Sequence, residues 1–179
     1  MWTLVSLLLL ANVPPDGATQ LKKVDGLMPE LRRIATDPAL VREVKRQNAR
    51  RVPLDTVQKR DEEWRATPAL TPFKRQVLGS PCARSLERYQ ERLGRVMAEA
   101  FIMDNQGALV GATRRTSDYW QGDEPKWRES FNGGRCAELR EKPFFDESSQ
   151  SYVLQVSLPV KDGARVIGAL TVSISLLEL

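Results

Sequence analysis

Histidine is absent from the 179 residues of this chain. Its absence excludes the commonest general base, the Ser-His and Cys-His nucleophile pairs and every histidine-containing metal site. Four acids remain as candidates for acid-base chemistry, but nothing in their spacing brings them together: Asp118, Asp123, Glu124 and Asp146. They also lack the regular alternation of acids that a dedicated calcium loop uses. The sequence therefore predicts a binding protein rather than an enzyme, with no cofactor.

Cysteine is scarce, since the chain contains only Cys82 and Cys136. Two cysteines without a histidine argue against a zinc site. In an exported protein an even number permits one disulfide, which makes this pair a candidate bridge. Whether they are bonded depends on the distance between their Cα atoms, which the sequence leaves open.

Long apolar runs are also missing. Residues 2–13 form the main one, which is too short to span a bilayer and is followed by two prolines. Its length is typical of a signal peptide, so residues 1–19 are predicted to direct export to the periplasm or cell envelope. No basic segment precedes the run, because Trp2 follows Met1 directly. A short helix that stays in the protein is therefore the alternative.

The charge is only mildly positive, with 27 Lys and Arg against 23 Asp and Glu. Basic residues alternate with acids on predicted helix faces, as in residues 42–46 and 84–95. This mixture is typical of solvated helix surfaces rather than of a nucleic-acid interface, and no nucleic-acid-binding motif accompanies it. No nucleic-acid partner is predicted.

Residues 20–95 have the pattern of a helical region. An apolar stripe with three- and four-residue spacing predicts the first helix: Leu21, Val24, Met28, Leu31 and Ile34. Asp37 before Pro38 predicts the N-cap of a second helix, and Asp55 is the candidate cap of a third. Trp64 is expected to anchor that third helix on the sheet. Two further helices are predicted at residues 73–78 and 81–93.

Residues 96–179 change to the two-residue period of strands. Residues 97–103 and 108–113 flank a Gly-containing turn, and residues 152–160 and 166–174 flank the turn Asp162-Gly163. A short helix is predicted at residues 125–131, ended by Asn132 and two glycines. The sequence predicts one α+β structural domain over residues 20–179, with about five antiparallel strands beside a long N-terminal helical segment.

An aromatic and acidic loop, residues 116–127 (TSDYWQGDEPKW), lies between the two predicted hairpins. Aromatic rings with a few polar groups are what small-molecule pockets use for shape and orientation. Tyr119 and Trp120 either line a pocket or fill the core, and the same two interpretations apply to Trp127. Asp118 and Asp123 are either ligand contacts or turn and cap residues, the cap being favoured for Asp123.

Two motifs together resemble the Cache superfamily of extracytoplasmic, PAS-like sensor domains. Residues 101–110 (FIMDNQGALV) form a strand, an Asp-x-x-Gly turn and a second strand, followed by the loop at residues 116–127. Residues 156–172 (VSLPVKDGARVIGALTV) form the second motif. The resemblance covers roughly residues 37–179 and implies an antiparallel sheet with a ligand pocket between the sheet and the loop.

In amino-acid-binding members of this superfamily, an Arg before an aromatic pair holds the ligand carboxylate, and a downstream Asp holds its ammonium. Trp127 is similar to one aromatic of that motif, but no Arg precedes it, and Lys126 or Arg128 is the available substitute. Asp146 falls where the downstream Asp is expected, although it is equally placed to be a turn residue. Gln155 and Ser157 face either solvent or the pocket, and solvent is favoured.

The resemblance implies a non-catalytic, small-molecule-binding sensor domain that signals through a membrane receptor or a second copy of itself. The predicted ligand-binding residues are Asp118, Tyr119, Trp120, Asp123, Lys126, Trp127 and Asp146. The ligand class stays open between amino acid, amine and carboxylate. The chain ends at Leu179, soon after the last predicted strand, which suggests a free-standing domain. The alternative is a ligand-free interaction or structural module of the cell envelope with the same fold.

Overall fold

Helices form the first half of the computed structural model, which describes residues 17–132, 135, 137–146 and 151–179. Within these residues no helix combines the length and the apolar character needed to cross a bilayer. Most of the predicted export signal lies outside the described residues, and its last three residues open the first helix. The helices of this half are α1 (Gly17–Ala35), α2 (Pro38–Ala49), α3 (Leu54–Arg65), α4 (Pro72–Leu78) and α5 (Pro81–Leu93).

Three of these helices begin in the same way, with a proline in the first turn and a polar N-cap before it. Asp37 caps α2 by accepting a 2.7 Å hydrogen bond from the amide of Ala39. Thr71 and Ser80 cap α4 and α5 through their hydroxyl oxygens. The predicted Asp55 cap is wrong, because α3 begins at Leu54 and Asp55 lies inside its first turn.

The elements of the second half are β1 (Met97–Met103), β2 (Leu109–Ala112), α6 (Pro125–Phe131), β3 (Leu139–Arg140), β4 (Phe144–Asp146), β5 (Ser151–Asp162) and β6 (Arg165–Ser175). The strands form one antiparallel sheet with the order β2-β1-β6-β5-β3, in which β4 also pairs with β5. This confirms the predicted α+β fold. Strands β3 and β4 were not predicted, because two or three residues are too few to show a period.

One face of the sheet is apolar and is covered by α1, α2 and α5. The side chains of Leu154, Val156 and Leu158 on β5 and of their partners on β6 belong to this core. The predicted α1 stripe faces the same core, except that Leu21 is exposed. Burying so much apolar area supplies most of the stability of such a layer.

Cys82 on α5 is buried in this apolar core, and burial raises the pKa of its thiol. It lies under β2, where Gly111 leaves room for the close approach of α5: a Cβ there would be only 2.8 Å from the Cβ of Cys82. Cys136 lies outside the described residues, so the disulfide stays a prediction.

Candidate ligand-binding site

The loop that follows β2 is held in place by α3. Asp61, a buried residue of α3, accepts hydrogen bonds from the backbone amides of Tyr119 and Trp120 at 2.7 and 3.0 Å. Its second oxygen pairs with Arg65, one helical turn away, at 3.1 Å. A carboxylate that accepts several hydrogen bonds satisfies buried donors that would otherwise be costly. Asp61 therefore fixes the backbone at the centre of the loop.

An aromatic cluster fills the space between α3, α4 and the loop. Tyr119 is buried, with its ring centroid 5.9 Å from that of Trp64 and 4.9 Å from that of Phe73. Trp64 also donates a 3.0 Å hydrogen bond from its indole nitrogen to the carbonyl of Thr116. Trp64 thus anchors α3 as predicted, with the loop and β1 as its neighbours. Tyr119 packs into this cluster.

Two further indole groups tie the loop and α6 to the turn between β1 and β2. Trp120 donates to the carbonyl of Gln106 at 2.7 Å, and Trp127 donates to the carbonyl of Asp104 at 2.9 Å. Asp104 itself shapes the turn, because its Oδ1 accepts from the amides of Gln106 and Ala108. Both tryptophan side chains are therefore hydrogen-bonded to the backbone of the Asp-x-x-Gly turn.

Two acids of the predicted site, Asp118 and Asp123, occupy the outer part of the loop. The carboxylate of Asp118 accepts from Ser117 at 2.8 Å and lies 3.8 Å from Arg65. Asp123 is exposed, and the N-cap position of α6 is occupied by Glu124. The cap expected at Asp123 is therefore wrong, because the helix begins one residue later than that reading requires.

Lys126, on the first turn of α6, points inward. Only 14% of its side chain is exposed, although it is a lysine. Its ammonium pairs with Glu124 at 3.0 Å and lies 5.7 Å from the ring centroid of Phe101 on β1. Arg128, the other substitute for the missing arginine, is exposed. Lys126 is therefore the cation of α6 that faces the sheet.

The face of the sheet beneath α6 carries a row of buried polar side chains, called here the polar stripe: Gln155, Ser157, Thr171 and Ser173. Gln155 is 8% exposed and Ser157 is fully buried, so the solvent-facing orientation favoured from the sequence is wrong. It failed because the alternation of β5 shows two faces but does not show what covers the second one.

The polar stripe satisfies part of its hydrogen-bonding capacity internally. Gln155 donates to Ser173 at 3.1 Å, and the hydroxyls of Ser157 and Thr171 lie 2.8 Å apart. Above the stripe, Ser130 of α6 is fully buried, and its hydroxyl has no hydrogen-bond partner among the described residues. Buried polar atoms with spare capacity are what a polar ligand would use.

Three charged side chains, those of Arg114, Lys126 and Asp146, lie near Glu99 of β1 at the end of the stripe. Glu99 lies opposite Ser173 in the strand register, which places it on the same face as the stripe. Burial raises the pKa of Glu99 to about 7; Asp146 acts in the same direction, while Arg114 and Lys126 oppose it. Glu99 was not singled out from the sequence, although an acid inside the apolar strand at residues 97–103 was a usable signal.

The structure thus divides the predicted site residues into groups. Lys126 and Asp146 come together beside the stripe, and Trp127 holds the helix that covers it. Tyr119 faces a different cleft, formed by α2, α3 and α4, and Asp118 and Asp123 lie in the outer loop. Across the described ranges no group of three or more acids or cysteines is arranged to hold a metal ion.

No protein-family model matches the sequence, and no curated protein matches it. Among solved structures, the ligand-binding domain of the Pseudomonas aeruginosa amino-acid chemoreceptor PctC, in complex with GABA, matches with a TM-score of 0.52 and 15% identity over 89% of this chain. The sensor domain of the V. cholerae histidine kinase DctB gives a TM-score of 0.47 and 14% identity over 90% of the chain. The ligand-binding domain of the Campylobacter jejuni chemoreceptor Tlp3 gives 0.42 and 13% over 89%.

The chain spans only 55% to 58% of the length of these three structures. At such low identity the likeness to PctC concerns the fold alone. The chain therefore has the fold of the PctC ligand-binding domain, in agreement with the α+β fold predicted from its sequence.

Proposed function

We propose that this chain is an extracytoplasmic sensor domain that binds a small molecule between the polar stripe and α6. The observation that carries the proposal is the stripe itself, because four polar side chains occupy the centre of a sheet face that a helix covers. An apolar surface would be the more stable choice there, since burying polar groups costs free energy unless every hydrogen bond is made. A ligand that completes those hydrogen bonds would explain why polar side chains occupy this face of the sheet.

The ligand class follows from the charges at the end of the stripe. Lys126 and Arg114 are suited to a carboxylate, whereas Glu99 and Asp146 are suited to an ammonium group. A small molecule with an amine and a carboxylate, such as an amino acid, would use both pairs. The likeness to the fold of PctC, a receptor domain described with bound GABA, supports this class. Lys126 takes the place of the arginine that is missing before Trp127.

Signalling would proceed through a shift between two positions of α6 and its loop. A ligand that contacts both α6 and the sheet stabilises the position in which they are closest, in proportion to its difference in affinity for the two positions. The sheet passes any displacement to α1, which packs on β5 and β6 from the opposite face. We propose that the receiving partner is a membrane receptor or a second copy of the chain.

A ligand screen by thermal unfolding tests this function. The probes are GABA, L-valine, ethylamine and succinate, which separate the need for an amine from the need for a carboxylate. The test variant is Lys126→Met, which keeps an apolar stem over Phe101 but removes the charge. The matched control is Arg128→Met, an exposed cation on the same helix.

At least one probe is expected to raise Tm of the wild type and of Arg128→Met by about 2–5 °C, but not that of Lys126→Met. A lack of stabilisation by any of the four probes, or equal stabilisation of both variants, would count against the proposed site.

The second candidate function is a ligand-free interaction module with the same fold. The specific observation in its favour is that both indole groups, of Trp120 and Trp127, bind the protein's own backbone, and that Tyr119 is buried. These rings would then serve only to pack the loop. This candidate predicts that no probe changes Tm, and that the polar stripe tolerates apolar replacement with a gain in stability.

A further inference from the structure

We propose that a second cleft, lined in part by the β1–β2 turn, binds a small organic anion with two or more negative charges. This arginine cleft lies between α2, α3 and α4, has a volume of about 410 Å³ and is named for four residues of its lining: Arg46, Arg50, Arg60 and Arg75. A volume of this size is within the range of small-molecule sites. The proposal does not depend on the function proposed for the polar stripe.

The charge of the cleft is the first argument. Its lining carries four guanidinium groups and two carboxylates, those of Glu43 and Asp104. Glu43 pairs with Arg46, its neighbour on α2. Asp104 accepts from two backbone amides of its own turn and, through Oδ2, from Gln47 at 2.9 Å. Both carboxylates are therefore occupied by structural contacts.

The remaining cations lack acidic partners. Within the described part of the chain, Arg50, Arg60 and Arg75 take part in no salt bridge. Three like charges around one concave surface repel each other, and a bound anion would relieve that repulsion.

Two of these guanidinium groups are also held in place by the protein. Arg60 lies 5.5 Å from the ring centroid of Phe73, and Arg75 donates to the carbonyl of Leu70. A guanidinium group that makes one such contact keeps several N–H donors for a planar anionic group. Fixing these side chains in advance reduces the entropy lost when a ligand binds.

The floor of the cleft adds neutral polar groups. Tyr119, Gln47 and Gln106 line it together with Ser80. Arg60 and Arg50 both act on the Tyr119 hydroxyl: burial raises the pKa of Tyr119 to about 12, and the two arginines oppose that rise. The hydroxyl therefore stays protonated at neutral pH and can donate to an anion. Carboxylate and phosphate oxygens both accept hydrogen bonds from guanidinium groups and from a tyrosine hydroxyl.

The experiment is isothermal titration of the whole chain with two probes, citrate and glucose 6-phosphate, which separate a carboxylate from a phosphate ligand. Glucose is the uncharged control. The test variant carries Arg50→Gln and Arg60→Gln, and the matched control is Arg42→Gln, an exposed arginine of α2 that does not line the cleft. Arg75→Gln, which changes an exposed residue of α4, is a second test variant for use if the double variant does not fold.

At least one anionic probe is expected to bind, with affinity lowered about tenfold in the test variant and less than about twofold in the control. Glucose should not bind. Binding of only citrate or only glucose 6-phosphate supports the proposal and identifies the recognised group. No heat with either anion at about 5 mM, or an equal loss in Arg42→Gln, overturns it, since the second result means attraction to net charge alone.

Discussion

The indole nitrogen of Trp127 donates a 2.9 Å hydrogen bond to the backbone carbonyl of Asp104. This bond joins the helix that covers the polar stripe to the turn whose Asp carboxylate is anchored from α2 by Gln47. The turn therefore contacts α6 and, through Asp104 and Gln106, also lines the arginine cleft.

Trp127→Phe should remove the hydrogen bond between α6 and the turn while keeping an aromatic ring in place. We expect a loss of about 1 kcal/mol in the free energy of unfolding, because one hydrogen bond to a half-buried carbonyl is removed. Trp127→Ala should cost more, about 3 kcal/mol, because the ring also stacks on Phe131 at 5.0 Å. Urea unfolding measures both. Equal stability of Trp127→Phe and the wild type would show that the hydrogen bond does not matter.

Asp61→Ala should destabilise the loop rather than the helix that carries it. The change leaves the amides of Tyr119 and Trp120 without their acceptor, which should cost about 2–3 kcal/mol. Asp55→Ala, on the exposed first turn of the same helix, is the control and should change stability by no more than about 0.5 kcal/mol. Hydrogen exchange should locate the loss of protection at residues 119–121. Protection that survives in Asp61→Ala would contradict this role.

Replacement by alanine should change the stability of the protein in opposite directions at two glycine positions. A Cβ on Gly122 would collide with the indole nitrogen of Trp120 and would lie 2.6 Å from the carbonyl of Gln106. Gly122→Ala should therefore cost about 1–3 kcal/mol by pushing the loop off the turn. Gly26→Ala, inside α1 with open space around it, should instead stabilise by about 0.5–1 kcal/mol. Thermal unfolding of both variants decides this, and a neutral Gly122→Ala would disprove the close contact.

Glu99 should make stability depend on pH. Its pKa is about 7 in the folded protein against an ordinary value of 4.5, so between these values the folded state holds more protons than the unfolded state. The stability contributed by this group is complete below pH 4.5 and is lost as the pH rises to about 7, a change of about 1–3 kcal/mol. Glu99→Gln should remove that slope, and Glu129→Gln, an exposed acid on α6, should keep it. Identical pH profiles for the two variants would contradict the assignment.

The sequence was most informative where the physics is local. Proline after a polar cap located the start of α2, and the two-residue period located β5 and β6. The two motifs identified the fold from a few turn residues. Local rules failed for Asp55, whose helix begins with an apolar residue and no side-chain cap.

The site depended on contacts that the sequence does not contain. Asp61 and the Tyr119 amide are 58 residues apart, and no periodic pattern links an acid on one helix to a distant loop. The direction of Tyr119 was equally hidden, because the same aromatic loop can present a ring to either side of the turn. Glu99 shows the opposite case, since a charged residue inside an otherwise apolar strand is by itself a sign of a special environment.

The most direct test of the proposed ligand site between α6 and the polar stripe is a pair of crystal structures. One is of the chain purified without added ligand, and the other is of the same crystals after soaking with GABA. We expect electron density for a ligand between α6 and the polar stripe, with the polar atoms of the ligand within hydrogen-bonding distance of Ser130 and of Gln155 or Ser173. We also expect that Lys126 or Glu99 contacts the charged ends of the ligand. A stripe closed against α6 in both crystals, with no density between them, would contradict the proposed site.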